Sequence, residues 1–583
     1  MSHNPKLINY QTNINISRVT AITRPSGATI TNSYDKGRLV STSTPDGTTN
    51  YSYLFGNQVG AITKGAESFN FTYDGTLLTA MSQSGVLNHT SDFSYNNDFQ
   101  VTSSTYAGAT QAYNYDNDGH LISSGAYTLT RETDNGFVTQ LTDGTVTQNR
   151  SYNSYGELTE LSDNTLTYQL NQRDKSGAIT QKSETINGTS KTYDYRYDDL
   201  GRLIEVKLDD TIVEEYSYDN NGNRASATIN NSTTTAQYTL DDQLDVYGND
   251  TYRYNDDGYL IEKMTADGTT TYDYGTLGEL KEVVTPTKTI TYLQNANNQR
   301  VAKLVDGTIT EKYLWASSFG GLANPPYILA VYDKDDTLIQ RYEYADQRMP
   351  LSMTTNDNTK YYLHYDQVGS LRAVSDTNQN IIKEITYDTF GNILSDSNPD
   401  LKVPFGFAGG LYDTDTKLTR FGYRDYDAYT GKWTAKDPIG FAGGDSNLYG
   451  YVLGDPVGFV DPSGEFGIVG GIIGGVLEIG SQLLLNGGRW ECIDWWDVGG
   501  MALVGAVAPG GLAAGKTIYS SGKAIQTLGT QSSRTKNRLN KLQNRINKHK
   551  NRIKNELITQ GTIAGGKFAY KKMNGDNCSE ECK

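Results

Sequence analysis

The sequence predicts an all-β body, and three observations point to that class. Tyrosine and glycine are abundant, with 43 Tyr and 60 Gly in 583 residues, while only 36% of residues are hydrophobic. The segment from Thr192 to Tyr197 alternates aromatic with polar side chains, which gives a strand one apolar and one wet face. A short tyrosine motif also recurs. Many short strands accommodate such amphipathic rings better than helices do.

The recurring motif is a heptapeptide, Y-D-x-x-G-x-L, seen from Tyr197 to Leu203. The same internal spacing begins at Tyr115, Tyr365 and Tyr387, and near or shortened copies begin at Tyr34, Tyr73, Tyr152, Tyr218, Tyr254 and Tyr274. Several starts lie about twenty residues apart, which suits two short strands and two turns in each unit.

Each position of the motif has a physical reason. Asp or Asn after the tyrosine favours a turn because its side chain bonds nearby backbone, and glycine adopts a positive φ that other residues resist. The flanking Tyr and Leu point to one face. Each unit is therefore predicted to be a β-hairpin, and because a lone hairpin is marginal in water, the units must join into a long sheet that curls on itself.

Charge and cysteine content limit the classes of function. The formal net charge of −16 makes binding of the body to nucleic acid or anionic lipid unfavourable. The chain has three cysteines, an odd number, and all lie near the C-terminus: Cys492, Cys578 and Cys582. No disulfide framework therefore stabilises the predicted all-β body. The first ten residues lack the apolar region of a Sec signal. We therefore expect synthesis and folding in a reducing cytosol and, for any export, delivery by dedicated machinery.

A second, denser pattern runs from Leu418 to Gly464. Its elements are Arg424-Asp425-Tyr426-Asp427, Gly431-Lys432-Trp433, Asp437-Pro438-Ile439-Gly440, Asn447-Leu448-Tyr449-Gly450-Tyr451-Val452 and Asp461-Pro462-Ser463-Gly464. With the repeats, this pattern resembles the Rhs/YD-repeat family, which includes polymorphic toxins and the C component of Tc toxins. The resemblance covers about residues 20 to 464.

The resemblance implies an architecture and an activity. Similar proteins coil their repeats into a closed hollow shell, a cocoon, that encloses the chain's own C-terminus, and their paired DPxG elements act as an aspartyl-type autoprotease that cuts just after the second element. It implies a YD-repeat β-shell at residues 1–310, a repeat-associated core at 311–464 and a variable, mainly α C-terminal tail at 465–583. Implied partners are this tail, a secretion machinery or a separate shell-closing protein, and an immunity protein.

General chemical principles, without the resemblance, also favour Asp437 and Asp461 as catalytic residues. Two carboxylates held close in a dry site cannot both ionise easily, so one keeps a proton while the other activates water. Each is followed by Pro and, two positions later, by Gly, which indicates a tight turn. Arg424 would neutralise a carboxylate or an oxyanion, and Asp425 would orient Arg424 or one of the acids. No cofactor or metal is predicted.

Two other interpretations stay open. An isolated DPxG element is usually only a turn, as Asp455-Pro456-Val457-Gly458 would be, and Arg–Asp pairs are often surface salt bridges. The repeats also suit a non-enzymatic surface or adhesion protein that binds carbohydrate or a neighbouring cell through exposed Tyr and Asn.

The residues after Gly464 differ from the family pattern. Family members usually carry Leu, Trp or Phe directly after the last glycine, whereas here Glu465 comes first and Phe466 second. We therefore predict cleavage at Glu465-Phe466 or Phe466-Gly467. The tail beyond contains a basic amphipathic segment, residues 534–554, but no nuclease spacing, and two apolar segments, 467–485 and 498–514, that are weak candidates for membrane spans. Its activity cannot be assigned.

Overall fold

The computed structural model describes residues 9–13, 18–316, 327–346, 348–443, 445–465 and 469–470. The chain divides into two compact units, residues 1–438 with 447–472 and residues 439–446 with 473–583. Almost all described residues belong to the first unit. Apart from Glu465 and the two residues Val469–Gly470, the predicted mainly α tail, with its apolar and basic segments, lies outside the described residues.

The first unit is built on one antiparallel sheet of 38 strands, in which each strand pairs with the next along the chain. We call β1–β24 the first coil and β25–β38 the second coil. The strands of the first coil are β1 Asn9–Asn13, β2 Arg18–Thr23, β3 Thr29–Asp35, β4 Arg38–Thr44, β5 Gly47–Tyr53, β6 Val59–Lys64, β7 Glu67–Asp74, β8 Leu77–Ser84, β9 His89–Tyr95, β10 Val101–Tyr106, β11 Ala109–Tyr115, β12 Leu121–Ser124, β13 Tyr127–Arg131, β14 Val138–Thr142, β15 Thr147–Tyr152, β16 Leu158–Ser162, β17 Leu166–Arg173, β18 Ile179–Ile186, β19 Thr189–Tyr197, β20 Leu203–Leu208, β21 Thr211–Tyr218, β22 Arg224–Ile229, β23 Ser232–Tyr238 and β24 Leu244–Tyr247.

The second coil continues the same meander, and two small sheets follow it. We call the strands of these two sheets, β39–β44, and the turns between them the core region. The strands of the second coil are β25 Asp250–Tyr254, β26 Leu260–Thr265, β27 Gly268–Tyr274, β28 Leu280–Val284, β29 Thr289–Gln294, β30 Arg300–Val305, β31 Thr308–Trp315, β32 Ile328–Tyr332, β33 Leu338–Glu343, β34 Ser352–Thr355, β35 Lys360–Tyr365, β36 Leu371–Ser375, β37 Ile381–Tyr387 and β38 Ile393–Asp396. Those of the core region are β39 Leu411–Tyr412, β40 Leu418–Phe421, β41 Arg424–Asp427, β42 Lys432–Trp433, β43 Phe459–Val460 and β44 Val469–Gly470, with short 3-10 turns at Phe407–Gly409, Gly440–Gly443 and Val452–Gly454. The described part holds no α-helix, and the all-β prediction is confirmed.

The heptapeptide forms the predicted hairpin turn. In the copy that begins at Tyr197, one carboxylate oxygen of Asp198 accepts the backbone N–H groups of Leu200 at 3.0 Å and Arg202 at 2.9 Å. Gly201 has a φ of +82°, which a residue with a Cβ adopts at a cost. The pairing register shifts just before Tyr197, which then faces Leu203. This bulge recurs before the motif tyrosine in most hairpins.

The motif tyrosines also join neighbouring units. The Tyr197 hydroxyl donates to the carbonyl of Ile179 at 2.8 Å, and the Tyr218 hydroxyl donates to that of Leu203 at 2.8 Å. The same bond is made by Tyr53, Tyr73, Tyr115, Tyr152 and Tyr238. Each ring is thus largely buried while its hydroxyl bonds the preceding unit, which is why tyrosine rather than phenylalanine occupies this position.

The sheet curls so that the second coil packs on the first. In a meander alternate turns share an edge, so the motif turns lie along one edge, the Y-D edge, and the turns between them along the other, the short-turn edge. Ser26, on the short-turn edge of the first coil, donates to Asp257 of a Y-D turn 231 positions later, through its backbone N–H at 2.9 Å and its hydroxyl at 2.7 Å. Asp46 and Thr276 repeat this contact at a separation of 230. We call this junction the seam.

Further along, the seam buries charged groups. Arg372 of β36 makes a two-pronged ion pair with Glu184 of β18, with both nitrogen–oxygen distances at 2.7 Å. Its Nε donates to the carbonyl of Ile385 at 2.9 Å, and one of its Nη atoms donates to the Tyr168 hydroxyl at 3.2 Å. Both members of the pair are buried. Because these charges are removed from water, each depends strongly on the other.

A buried acid of the seam predicts a pH dependence of stability. Burial, and after it the neighbouring Asp388 carboxylate, raises the pKa of Glu214 from 4.5 to about 7. A folded-state pKa above the unfolded one means that the contribution of Glu214 to stability is largest at low pH and falls as the pH rises from 4.5 through about 7. Between pH 5 and pH 8, the melting temperature of the Glu214→Gln variant should therefore fall by a few degrees less than that of the wild type.

The control for this prediction is Glu215→Gln, because Glu215 is the next residue of β21 and is exposed. Its melting temperature should follow the wild type at every pH. A Glu214→Gln protein whose melting temperature declines with pH as steeply as the wild type would contradict the assignment.

Candidate active site

The core region begins with a buried hairpin of β40 and β41, joined by a tight turn at Gly422 and Tyr423. The rings of Phe421 and Tyr426 lie 5.8 Å and 5.7 Å from that of Trp433. This aromatic packing holds the hairpin in place, so the functional side chains on it are positioned by a rigid backbone.

The turn at Asp461–Gly464 crosses the tip of this hairpin. The backbone N–H of Tyr423 donates to the carbonyl of Ser463 at 2.8 Å, and Nε of Arg424 donates to the carbonyl of Gly464. A Cβ at Gly422 would overlap the Ser463 carbonyl, and one at Gly464 would overlap the backbone of Phe421. Both glycines also have positive φ. They are therefore required for the close approach of the two backbones.

Arg424 brings the two predicted aspartates together. Its Nη2 lies 3.0 Å from Oδ2 of Asp437 and 3.2 Å from Oδ2 of Asp461. Because one nitrogen contacts both oxygens, the carboxylates can be no farther apart than these two distances combined. The guanidinium carbon lies 4.2 Å from the centre of the Trp433 ring, and Nη1 donates to the carbonyl of Leu448 at 3.3 Å.

Asp461 is fixed by its own turn as well as by Arg424. Its Oδ1 accepts the Gly464 N–H at 2.9 Å and the Ser463 hydroxyl at 3.0 Å. The Asp-Pro-Ser-Gly sequence therefore does two things. It closes a turn, and it points the other carboxylate oxygen at the shared arginine.

A third acid lies beside the pair. Burial and, after it, the charges of Asp437 and Asp461 raise the pKa of Glu465 to about 6, against the opposing effect of Arg424. Burial also lowers the pKa of Arg424, against the attraction of the same acids. Two aspartates thus contact one cation, and an acid with a raised pKa lies within range of their charges. Closely placed carboxyl groups of this kind suit acid and base chemistry on an amide.

The structure brings Arg424, Asp437, Asp461 and Glu465 together but does not bring Asp425 to them. The Asp425 carboxylate bonds Arg300 at 2.9 Å and Arg420 at 2.7 Å. Neighbouring residues of a strand point to opposite faces, so Asp425 cannot orient Arg424 from β41. Asp425 instead anchors the hairpin to the second coil.

Phe466, the second residue of the predicted cleavage site, lies outside the described residues. Asp455 of the middle DPxG element accepts the N–H groups of Val457 at 3.2 Å and Gly458 at 2.9 Å, as expected for a turn. Sequence reasoning missed the roles of Trp433 and Gly422. The Gly-Lys-Trp element was a signal for Trp433, but its contact with Arg424 depends on the strand pairing.

Among the described residues, one group has ligand atoms close enough to hold a metal ion, and it consists of Asp116, Asp118 and His120 on the first coil. The atoms lie within 4.8 Å of one another. However, Asp116 already accepts the backbone N–H groups of Asp118 and His120, as in the other Y-D turns. We assign no ion to it.

The chain is similar to known proteins of several kinds. A family model described as Teneurin YD-shell matches residues 2–448. Teneurin-4 of Mus musculus is 27% identical over 370 residues, which are 61% of this chain and 13% of the relative. The tRNA3(Ser)-specific nuclease WapA of Bacillus spizizenii is 27% identical over 282 residues, 46% of this chain and 12% of the relative. The chain thus spans about an eighth of the length of either relative.

Among solved structures, the crystal structure of TcdB2-TccC3-Cdc42 has a TM-score of 0.58 and 17% identity, and the match covers 78% of this chain and 27% of that one. The structure of TcdB2-TccC3 without its hypervariable C-terminal region gives the same values. This likeness concerns the fold. No helix in the described ranges is long and apolar enough to cross a membrane.

Proposed function

Because the chain belongs to the Teneurin YD-shell family of Rhs/YD-repeat proteins, we propose that it is a bacterial toxin carrier that encloses its own C-terminal region and cuts it free just after Gly464. The observation that carries the proposal is the contact of Asp437 and Asp461 with one nitrogen of Arg424, beside the segment that leads to the predicted cleavage site. Self-cleavage needs the two aspartates to lie close together, and the sequence alone does not establish that they do.

The proposed reaction is hydrolysis of one peptide bond. The ionised aspartate takes a proton from a water molecule, whose oxygen attacks the carbonyl carbon of the scissile bond. The protonated aspartate gives its proton to the leaving amide nitrogen as the carbon–nitrogen bond breaks. Arg424 holds the carboxylates in place and, through Nε, holds the Gly464 carbonyl, one residue before the nearer predicted bond.

The proposal includes partners. TcdB2-TccC3 is a complex in the similar structures, which supports a separate protein that closes the shell of this chain. Delivery by a secretion machinery and neutralisation by an immunity protein complete the proposed system, because an effector made in the cytosol must be kept from its producer. The enclosed region is residues 466–583.

The test is intact-mass analysis of the purified full-length protein. For the wild type we expect two fragments whose masses correspond to cleavage at Glu465-Phe466 or Phe466-Gly467. For Asp437→Asn and Asp461→Asn we expect one full-length species. The matched control is Asp455→Asn, which should be cleaved like the wild type because Asp455 belongs to the middle element. A wild type that stays full-length, or aspartate variants that are still cleaved, would refute self-cleavage.

One observation favours a second candidate, a surface protein that binds carbohydrate. A cavity of about 550 Å³ between two adjacent Y-D turns is lined by polar groups, namely Asn96, Asp98, Gln100, Asn114, Asp116, Asn117, Asp118 and Tyr113. Such a lining can bond sugar hydroxyls. A glycan array probed with Asp461→Asn protein separates the candidates, since saturable sugar binding without self-cleavage of the wild type would favour the second.

A further inference from the structure

One interruption of the repeat brings an arginine to the edge of the core region. Between β33 and β34 the chain runs through residues 344–351 instead of a short turn. Arg348 lies in this segment, and its Nη2 donates to the carbonyl of Val368 at 3.1 Å. Val368 belongs to the same buried cluster as Tyr451 of the core region. The interruption therefore places a guanidinium where the second coil meets the core region.

Two glycine turns make room for this guanidinium. A Cβ at Gly369 would lie 2.8 Å from Nη2 of Arg348, and a Cβ at Gly409 would lie 2.6 Å from Nη1. Both glycines have positive φ, at +91° and +70°. Any other residue at either position would displace the arginine or strain the backbone. The guanidinium thus lies in a cradle formed by two turns that are separate in sequence.

The cation in this cradle has no carboxylate partner among the described residues. Its bond to Val368 uses one of five N–H donors, whereas Arg372 pairs with Glu184 at 2.7 Å. Asp366 acts on Arg348 from a distance, but its carboxylate accepts backbone N–H groups of its own turn. Burial lowers the pKa of Arg348, and the attraction of the neighbouring phenols does not restore it. Because charges removed from water are usually paired, this one indicates an anion site.

Tyr365 supplies a hydroxyl that departs from the repeat. A motif tyrosine such as Tyr152 donates to the carbonyl 14 positions earlier. For Tyr365 that carbonyl belongs to Leu351, and it already accepts the N–H of Leu363 at 3.0 Å. The Tyr365 side chain is 6% exposed, and its hydroxyl has no hydrogen-bond partner. Burial raises the pKa of this phenol and the charge of Arg348 opposes the rise, so the two groups are close enough to interact.

Tyr451 supplies a second unpartnered hydroxyl, from the core region. Its side chain is 2% exposed and its ring packs 4.4 Å from that of Tyr426, but its hydroxyl has no partner. Burial and, after it, the charge of Asp461 raise the pKa of Tyr451, while Arg348 lowers it. A buried hydroxyl without a hydrogen bond is unfavourable. Two of them beside one cation therefore favour a ligand that accepts from all three groups.

The donors around the cradle select an anion with several oxygen atoms. Arginine N–H groups only donate, phenol O–H groups can donate, and a guanidinium binds a carboxylate or a phosphate through two parallel bonds. An uncharged sugar would leave the cation unpaired, and a metal ion would be repelled by it. The arrangement therefore fits a single oxoanion.

We propose that Arg348, Tyr365 and Tyr451 form a binding site for an oxoanion, the phosphate or carboxylate group of a ligand. Two sources supply such a group, a free ion in solution and a carboxylate of the chain's own C-terminal region, and the experiment separates them. The inference does not depend on self-cleavage, because none of the three side chains takes part in the proposed hydrolysis.

The test is labelling of the protein expressed from the full-length chain with phenylglyoxal, which modifies free arginine side chains, with inorganic phosphate as the probe. Mass spectrometry of digests gives the labelling rate of each arginine. For a free ion we expect rapid labelling of Arg348, which phosphate slows in a saturable way at constant ionic strength. In the double variant Tyr365→Phe, Tyr451→Phe, half-protection should need about tenfold more phosphate, because two bonds to the anion are lost. The variant removes only unpartnered hydroxyls and should fold.

Arg341 is the control, measured in the same digests. It is partly buried like Arg348, but the hydroxyl of its neighbour Tyr106 already bonds Gln111 at 2.7 Å, so phosphate should not change its labelling. Resistance of Arg348 without phosphate that the double variant loses would assign the oxoanion to the chain's own C-terminal region. Labelling of Arg348 that neither phosphate nor the double variant changes would overturn the proposal, and so would equal protection by phosphate in wild type and variant.

Discussion

Replacing Arg424 by Met should reduce self-cleavage by about 100-fold or more, the usual effect of removing a preorganised charged donor from a reaction site. Methionine has a similar length but leaves Asp437 and Asp461 without the cation that both contact. It also removes the donor to the Gly464 carbonyl. The measurement is the fraction of full-length chain against time after a pulse of expression.

Arg420→Met is the matched control for that variant. Arg420 lies in β40 beside β41, is buried like Arg424, and bonds Asp425 on the opposite face at 2.7 Å. Its loss should lower stability but leave the cleavage rate within a few-fold of the wild type. Wild-type cleavage by Arg424→Met, or an equal loss in both variants, would mean that Arg424 supports the fold rather than the reaction.

Replacing Arg372 by Met should lower the free energy of unfolding by about 3 kcal/mol, the low end of the usual cost of breaking a buried ion pair. The cost arises because the Glu184 carboxylate stays buried after its two-pronged partner is removed. Lys182, at 3.9 Å from Glu184, compensates in part. The measurement is hydrogen exchange of the backbone amides of β18 and β36 at increasing denaturant concentration. It gives the free energy of unfolding of these two strands.

Two variants make the test of Arg372 specific. Arg196→Met removes a partner of Glu205 at 3.0 Å, but that arginine is exposed, so the change should stay below about 1 kcal/mol. The double variant Arg372→Met, Glu184→Leu removes both charges and should recover much of the lost stability. A double variant no more stable than Arg372→Met would show that packing, rather than the unpaired charge, sets the cost.

Local features of the fold could be predicted because they depend on a few neighbouring residues. The Asp198 turn and the positive φ of Gly201 follow from the chemistry of the heptapeptide. The acceptor of the Tyr197 hydroxyl could not be predicted in the same way, since the carbonyl of Ile179 comes within reach only after β18 and β19 have paired.

The candidate site has the same limit. Asp437 and Asp461 could be chosen from their turns, but their common contact with Arg424 depends on a hairpin and a crossing segment. For Asp425 the sequence did contain a usable signal. Once Arg424 to Asp427 is read as a strand, side-chain alternation means that Arg424 and Asp425 cannot face the same site.

The separation of 231 positions between Ser26 and Asp257 has a consequence during synthesis on the ribosome. At about 5 to 20 residues per second, Asp257 is added roughly 10 to 50 seconds after Ser26. Throughout that interval the short-turn edge of the nascent first coil lacks its eventual cover. A rare-codon stretch placed before the codon for Asp257 should therefore prolong chaperone occupancy of the nascent chain, and high contact order should make refolding from denaturant slow.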